Sequence, residues 1–342
     1  MLALYILLAI FVFGFMIFIH ELGHFMFAKK FKVAINEFSI GMGPKIFSKV
    51  GKDGVSYSLR LLPIGGFVSM EGEDEESENP NAFNKKPAWQ RFIIVIAGAL
   101  MNILISAVIL MIITLCTPRF GTTVVYQFVD GATTDDSGLM INDEIISVDG
   151  ARVHTAKELS YEIMRRGYEP ISLTVIRNGN KITLDNVKFP TVASEGVIFG
   201  APDFYVYGED RSFSSIIKNT FYTSKSTVKM TWDSLIDLFT GRYGIEQLSG
   251  PVGITGAITE AAKTDTETLF YLIAVIGMNL GVFNLLPIPA LDGGTMLLLL
   301  IEMITKKKLP QNVEAMIRTI GFMLLMLLAI VVLFKDVIFL FR

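Results

Sequence analysis

Apolar positions in this chain gather into long runs instead of alternating with polar ones. The first 19 residues carry no charge, and the apolar character continues to residue 27, ahead of Lys29 and Lys30. Residues 92–117 carry no charge, 269–301 carry only Asp292, and 319–341 carry only Lys335 and Asp336. A helix needs roughly 20 apolar residues to cross a bilayer, so the pattern predicts four spans with both termini on one side. Cationic loops stay in the cytoplasm. Loop 28–91 holds Lys29, Lys30, Lys32, Lys45, Lys49, Lys52, Arg60, Lys85, Lys86 and Arg91, and loop 302–318 holds Lys306, Lys307, Lys308 and Arg318. Both loops are therefore expected to be cytoplasmic. The termini and segment 118–268 are expected to be extracytoplasmic.

Between the spans the period changes. Residues 55–72, VSYSLRLLPIGGFVSMEG, alternate like a β-hairpin turned around Gly65-Gly66 and are apolar enough to dip toward the membrane. Residues 73–78, EDEESE, form a solvated acidic tract. Residues 138–153 read as strand, Asp149-Gly150 turn, strand; 156–167 as a short helix; 171–187 as a hairpin turned at Asn178-Gly179. That order, with its GL…DEI…VDG pattern, is similar to a PDZ domain, a module that binds strands by adding them to its sheet. In 211–245, Phe213, Ile216, Ile217, Val228, Trp232, Leu235, Ile236 and Phe239 recur at helical spacing. They predict an amphipathic helix lying on the outer membrane surface. The expected domains are 1–117 (two spans and a hairpin loop), 118–190 (the PDZ-like module), 191–267 (surface helix and connector) and 268–342 (two further spans). The expected fold class is a polytopic α-helical membrane protein of four transmembrane helices with a membrane-associated β-hairpin and an inserted extracytoplasmic PDZ-like α/β domain.

Composition agrees. Of 342 residues, 51% are hydrophobic and 18% charged, and mean hydropathy is +0.51. The net charge of −3 is diffuse and offers nothing to nucleic acid. The single cysteine, Cys116, excludes an intrachain disulfide framework and a thiolate metal cluster. No basic segment precedes the first apolar run, which argues against a cleaved signal peptide.

The chemistry begins where the first run ends, at His20-Glu21-Leu22-Gly23-His24. On a helix the two histidines face one side, one turn apart, and both can bind one zinc ion. Glu21 is placed to act as general base on water whose pKa the metal lowers to about 7. Ionisable side chains inside a membrane cost about 2.5–3.5 kcal/mol each on insertion scales, so three within five residues imply a function. A catalytic zinc wants a third protein ligand. His154, the only other histidine, falls in the PDZ-like segment. Asp292 is the better candidate: it follows Pro287 and Pro289, which break a helix, and broken backbone at membrane depth lines protein or a water-filled cavity. A zinc-binding scaffold without activity and a metal transporter are the rival classes. The retained Glu21 speaks against the first, and the lack of further acidic or histidine residues in the spans, Asp336 close to the end of the fourth excepted, speaks against the second.

The motifs HELGH, SIGMGPKIFS, PIGGFVSMEGE, AFNKKPAWQRF, AGALMNILIS, SGPVGI and NLGVFNLLPIPALDGG follow one another across nearly the whole chain. By them the chain resembles the site-2 proteases, zinc intramembrane metalloproteases, in their bacterial RseP-like branch, here with one PDZ-like module. The resemblance implies zinc on His20, His24 and Asp292, and Glu21 as catalytic base. It implies an edge strand at Gly65, Gly66 and Phe67 presented to substrate, and substrate contacts from Asn279 and Asn284; Asn102 matches a second-span asparagine of structural character. It also implies a bacterial cell membrane location. The expected partners are membrane lipid and single-span substrate proteins, such as a pre-cut anti-sigma factor or remnant signal peptides, together with an upstream site-1-type protease that makes the first cut. At about 1.5 Å per residue, 19 apolar residues place His20 roughly 28 Å from the outer end of the first span, near the cytoplasmic face.

Overall fold

An apolar run without proline has one way to satisfy its own backbone away from water, and that is a helix. Leu2–Lys30 forms it, as α1, ending in Lys29 and Lys30. The structure is a computed structural model; it describes residues 2–340 apart from 74, 195, 243, 245, 246 and 309. Asp74, in the acidic tract expected at 73–78, thus lies outside the described residues. Two compact units arise, Met1–Ile109 with Leu248–Arg342, and Leu110–Gln247.

In the first unit α1 leads into two long strands, β1 (Ile35–Val50) and β2 (Ser56–Met70). α2 (Ala88–Cys116) follows and runs on into the second unit. The chain returns as α5 (Pro251–Thr264), α6 (Thr266–Asn284), α7 (Asp292–Thr305) and α8 (Gln311–Leu340). Among the described residues, four segments are long and apolar enough to cross a membrane: Leu4–Lys30, Ala88–Cys116, Thr266–Asn284 and Asn312–Asp336.

Three expectations are corrected here. The apolar run 269–301 is not one span. It breaks after Asn284, and Asp292 opens a separate helix, α7. Pro287 and Pro289 lack the N–H a helix needs, and Ala290 adopts a φ of 76°. The last helix begins at Gln311 and absorbs Glu314 and Arg318, which pair at 2.7 Å one turn apart. The basic loop after α7 is correspondingly shorter than 302–318. Finally, Gly65-Gly66 is not a hairpin turn. The chain reverses at 51–55, and Gly65-Gly66 lies inside β2, which pairs with a 35–50 segment that the alternation had left unassigned. Each strand bends, so that Glu37–Ile40 stand opposite both 56–59 and 66–69 of β2. Gly41, Gly43 and Gly65 take the positive φ values that such bends require.

The second unit holds β3 (Arg119–Phe128), β4 (Glu144–Val148), β5 (Ala151–Arg152), α3 (Ala156–Arg166), β6 (Ile171–Arg177) and β7 (Asn180–Val187). Then come β8 (Thr191–Ser194), β9 (Val197–Gly200), β10 (Phe204–Asp210) and α4 (Phe213–Phe239). The main sheet runs β10-β3-β4-β6-β7, with β5 beside β4. Its core packs Val125, Ile145, Leu159, Ile163, Leu173 and Val175. Asp149-Gly150 and Asn178-Gly179 turn with positive φ at both residues, as the dipeptides require. The expected boundary at 190 does not separate compact units, because β10 extends the sheet beside β3.

α4 turns its polar face inward. Ser215, Asn219, Thr223, Thr227, Thr231, Asp233 and Asp237 are buried, whereas Phe213, Phe221 and Phe239 are 83%, 61% and 85% exposed. The inward face meets α3 through charge. Arg165 binds Asp237 at 2.9 Å and Asp233 at 3.3 Å, Tyr161 donates to Asp233 at 2.9 Å, and Lys229 reaches Glu162 at 2.7 Å. The carboxylate neighbours and the burial of Tyr161 push its phenol well above the ordinary value, with burial the larger cause.

Candidate metal centre

His20 and His24 stand one turn apart on α1 with their rings edge to face, centroids 4.7 Å apart. Both are 8% exposed. Two small-residue contacts allow this. Gly23 lies against the Ala97 backbone of α2, and a β-carbon on Gly98 would fall 2.6 Å from Cε1 of His24 and 2.9 Å from Cε1 of His20. The imidazoles therefore rest on a helix that has no side chain at that point.

Asp292 completes the group from the start of α7. Its Oδ2 lies 3.1 Å from His20 Nε2 and 3.3 Å from His24 Nε2. The two Nε2 atoms are 3.1 Å apart. Gly293 and Gly294 let α7 pack directly on the backbone of 285–289, which delivers Asp292 to the histidines. Among the described residues these three form the group able to hold a metal ion. His24 Nδ1 donates to the Ile94 carbonyl at 2.8 Å, which leaves Nε2 with a lone pair directed at the group.

This donor set fits zinc. Two imidazole nitrogens and a carboxylate oxygen are a catalytic zinc set. Donors about 2.0–2.2 Å from a tetrahedral ion stand roughly 3.3–3.5 Å from one another, close to the separations seen. Asp292 Oδ2 is also buried with no hydrogen-bond donor, an orphan that a cation would satisfy.

Glu21 lies on the same turn of α1. Its Oε2 accepts from the Val68 N–H at 3.1 Å. Val68 sits in the part of β2 that pairs on its other side with Phe38. That strand thus turns its unpaired edge toward Glu21. Gly66, two residues earlier, is buried, with the Ser39 carbonyl on one side and the Glu21 Cγ 3.9 Å from where a β-carbon would stand. The structure therefore gathers His20, Glu21, His24, Asp292 and Gly66. Phe67 is half-buried beside them with the Arg60 guanidinium 4.9 Å over its ring. Asn279 and Asn284 lie in the last two turns of α6, and Asn284 ends the helix just before the loop to Asp292. His154 belongs to the other unit, stacked at 4.0 Å on Tyr222 and 3.2 Å from Glu158. Sequence reasoning missed Val68, Gly98 and the Ile94 carbonyl. A glycine between two alanines in an otherwise bulky span was the signal for Gly98; the other two act through backbone atoms and leave no signal.

Paired histidines and a neighbouring glutamate on a helix of membrane-spanning length, with a distant aspartate brought to them, are a group that a zinc-dependent protease of the membrane could use. Comparison with known proteins gives the family. The chain matches the model of peptidase family M50 over residues 8–328 and belongs to that family, the site-2 proteases. It is 38% identical to a provisionally named zinc metalloprotease of Clostridium acetobutylicum, over 98% of this chain and 97% of that one. It is 30% identical to the zinc metalloprotease RasP of Shouchella clausii, over 95% and 97%. It is 29% identical to the regulator of sigma-W protease RasP of Bacillus subtilis, over 96% and 97%. The protein is a membrane zinc metalloprotease.

Proposed function

We propose that this protease cuts single-span membrane proteins within or beside their transmembrane segments, as the second cut of regulated intramembrane proteolysis. His20, His24 and Asp292 would hold the zinc, and Glu21 acts as general base. When bound, zinc supplies Lewis acidity and brings the pKa of water toward neutrality. Glu21 takes the water proton as oxygen bonds to the scissile carbonyl carbon, then passes it to the departing amide nitrogen as the C–N bond breaks. The observation that carries this reading is the open edge of β2 lying against Glu21.

A helical substrate hides its carbonyls in its own hydrogen bonds, and each group freed by unwinding needs a new partner. Strand addition at Gly66, Phe67 and Val68 supplies partners beside the base. Side-chain amides of Asn279 and Asn284 add to them. Water has a source on the same side: a cavity of about 510 Å³ lined by Glu73, Arg91, Thr295, Glu302 and Arg318 reaches α7 one turn after Asp292. Loops rich in lysine support a cytoplasmic position for this side. The 110–247 unit, read as PDZ-like, then acts outside as a filter, with the apolar face of α4 resting on the membrane surface. It excludes substrates that still carry a bulky extracytoplasmic domain, so a prior cut by another protease licenses this one. A pre-cut anti-sigma factor is the leading substrate class, in keeping with the name of the Bacillus subtilis relative.

The test uses purified protein and a truncated single-span substrate in detergent, with and without a zinc chelator, beside Glu21→Gln checked for bound zinc. Cleavage that requires both zinc and Glu21 is the expected result. Cleavage that persists in Glu21→Gln overturns the assigned base.

A further inference from the structure

Every zinc-ligating histidine commonly gives its second ring nitrogen to an acceptor, which sets the tautomer and steadies the ring. His24 does so through Ile94. His20 does not: its Nδ1 is buried and has no hydrogen-bond partner. Two more buried orphans lie nearby on α2. Asn102 is 0% exposed and neither amide atom has a partner; Ser106 is 0% exposed and its hydroxyl has none.

Helix contacts place the three together. Gly98, Asn102 and Ser106 succeed one another at four-residue spacing on one face of α2. Gly98 lies against the His20 ring. Ser106 and Met16 both lie against Gly277 of α6, and Met16 is one turn before His20 on α1. Asn102, between Gly98 and Ser106 on that face, is therefore level with the stretch of α1 between Met16 and His20. A buried amide left unpaired costs about 1–3 kcal/mol, and an apolar residue in its place would cost nothing of that kind.

We infer that Asn102 is a positioning residue for the metal centre: its carboxamide oxygen accepts the Nδ1–H of His20 through one buried water that Ser106 also holds. A buried water needs two to four polar partners, and these three groups supply them. Asn102 touches neither substrate nor metal; it acts through His20. The inference rests on the reading of His20 as a zinc ligand.

The experiment is chelator competition for zinc on the purified full-length protein, run with Asn102→Leu, Asn102→Asp and His20→Ala, and with melting of the zinc-free forms. Loss of such a partner lowers metal affinity about 10–100-fold, and that loss is expected for Asn102→Leu. Asn102→Asp keeps an acceptor of the same shape and should hold zinc nearly as well as wild type. Zinc-free Asn102→Leu should melt no lower than zinc-free wild type, because the substitution removes an unpaired amide. In a His20→Ala background Asn102→Leu should add no further loss. Wild-type affinity in Asn102→Leu, or a lowered melting point of its zinc-free form that accounts for the loss, overturns the inference and leaves the zinc site standing. A wild-type protein that binds no zinc overturns both.

Discussion

At the scale of single residues, the metal centre depends on atoms that are missing as much as on those present. Gly98 leaves space for two imidazoles. Gly98→Ala would push a methyl group into both rings, and overpacking of this sort costs about 1–3 kcal/mol. Zinc affinity should fall about 10–100-fold, measured by chelator competition, while the 110–247 unit keeps its protease resistance. Glu37, in β1, shows a different dependence. Burial raises its carboxyl pKa, and hydrogen bonds from Lys45, Ser58 and Arg60 more than reverse this, to about 2. A depressed pKa means that the stabilisation is full above the unfolded carboxylate value near 4.5 and is lost as pH falls toward 2. Glu37→Gln should loosen β1 and β2 at pH 7, and should remove most of the acid sensitivity of their amide hydrogen exchange between those limits.

At the scale of elements, the decisive feature is an edge. β2 satisfies one side of residues 66–70 with β1 and leaves the other toward α1. Edges are usually covered or charged because they capture other strands; this one stands beside Glu21. Val68→Pro removes the N–H that donates to Glu21, on a residue that faces Phe38 of β1, so the pH profile is read beside kcat/KM to separate substrate binding from a change at Glu21. If substrate binds as an added strand, kcat/KM should drop about tenfold, the worth of roughly one hydrogen bond, with zinc content unchanged. Unchanged kcat/KM would point to a binding mode that does not use this edge.

At the scale of the whole molecule, the 110–247 unit is held together by an inverted helix. α4 presents apolar side chains outward and ionic ones inward. Arg165 serves two buried aspartates, Asp233 and Asp237. Arg165→Ala would take the nearest cation from Asp237, leaving Arg242 at 3.7 Å, while Asp233 keeps Lys229 and Tyr161, so the cost should fall below the about 3–5 kcal/mol of a buried pair broken outright. Amide exchange in α3 and α4 should accelerate strongly in the full-length protein. The outward face makes its own prediction. Trp232 is 47% exposed on it. In a Trp89→Phe background, reconstituted in vesicles, its fluorescence should be blue-shifted and quenched by brominated lipid. Emission typical of water would mean that this face meets no bilayer.

Much of this protein follows from the sequence alone. Charge-free runs demand helices because lipid offers the backbone no partner, and HELGH places two histidines and a glutamate on one helical turn. The Asp-Gly and Asn-Gly turns follow from local backbone preference. These are short-range consequences, legible within a few residues. The partner of β2 was not, since pairing between residues such as Ile35 and Met70 depends on where a bent strand returns. Nor was the division of 269–301 into α6 and α7 fully legible, although its prolines announced a break. That Asp292 comes within 3.1–3.3 Å of both histidines required close packing of α7 on its preceding loop, through Gly293 and Gly294. The inward polar face of α4 likewise depended on a charged α3 being there to receive it. Composition decides which segments leave water; only the packing of distant segments decides which side chains and strand edges then face one another.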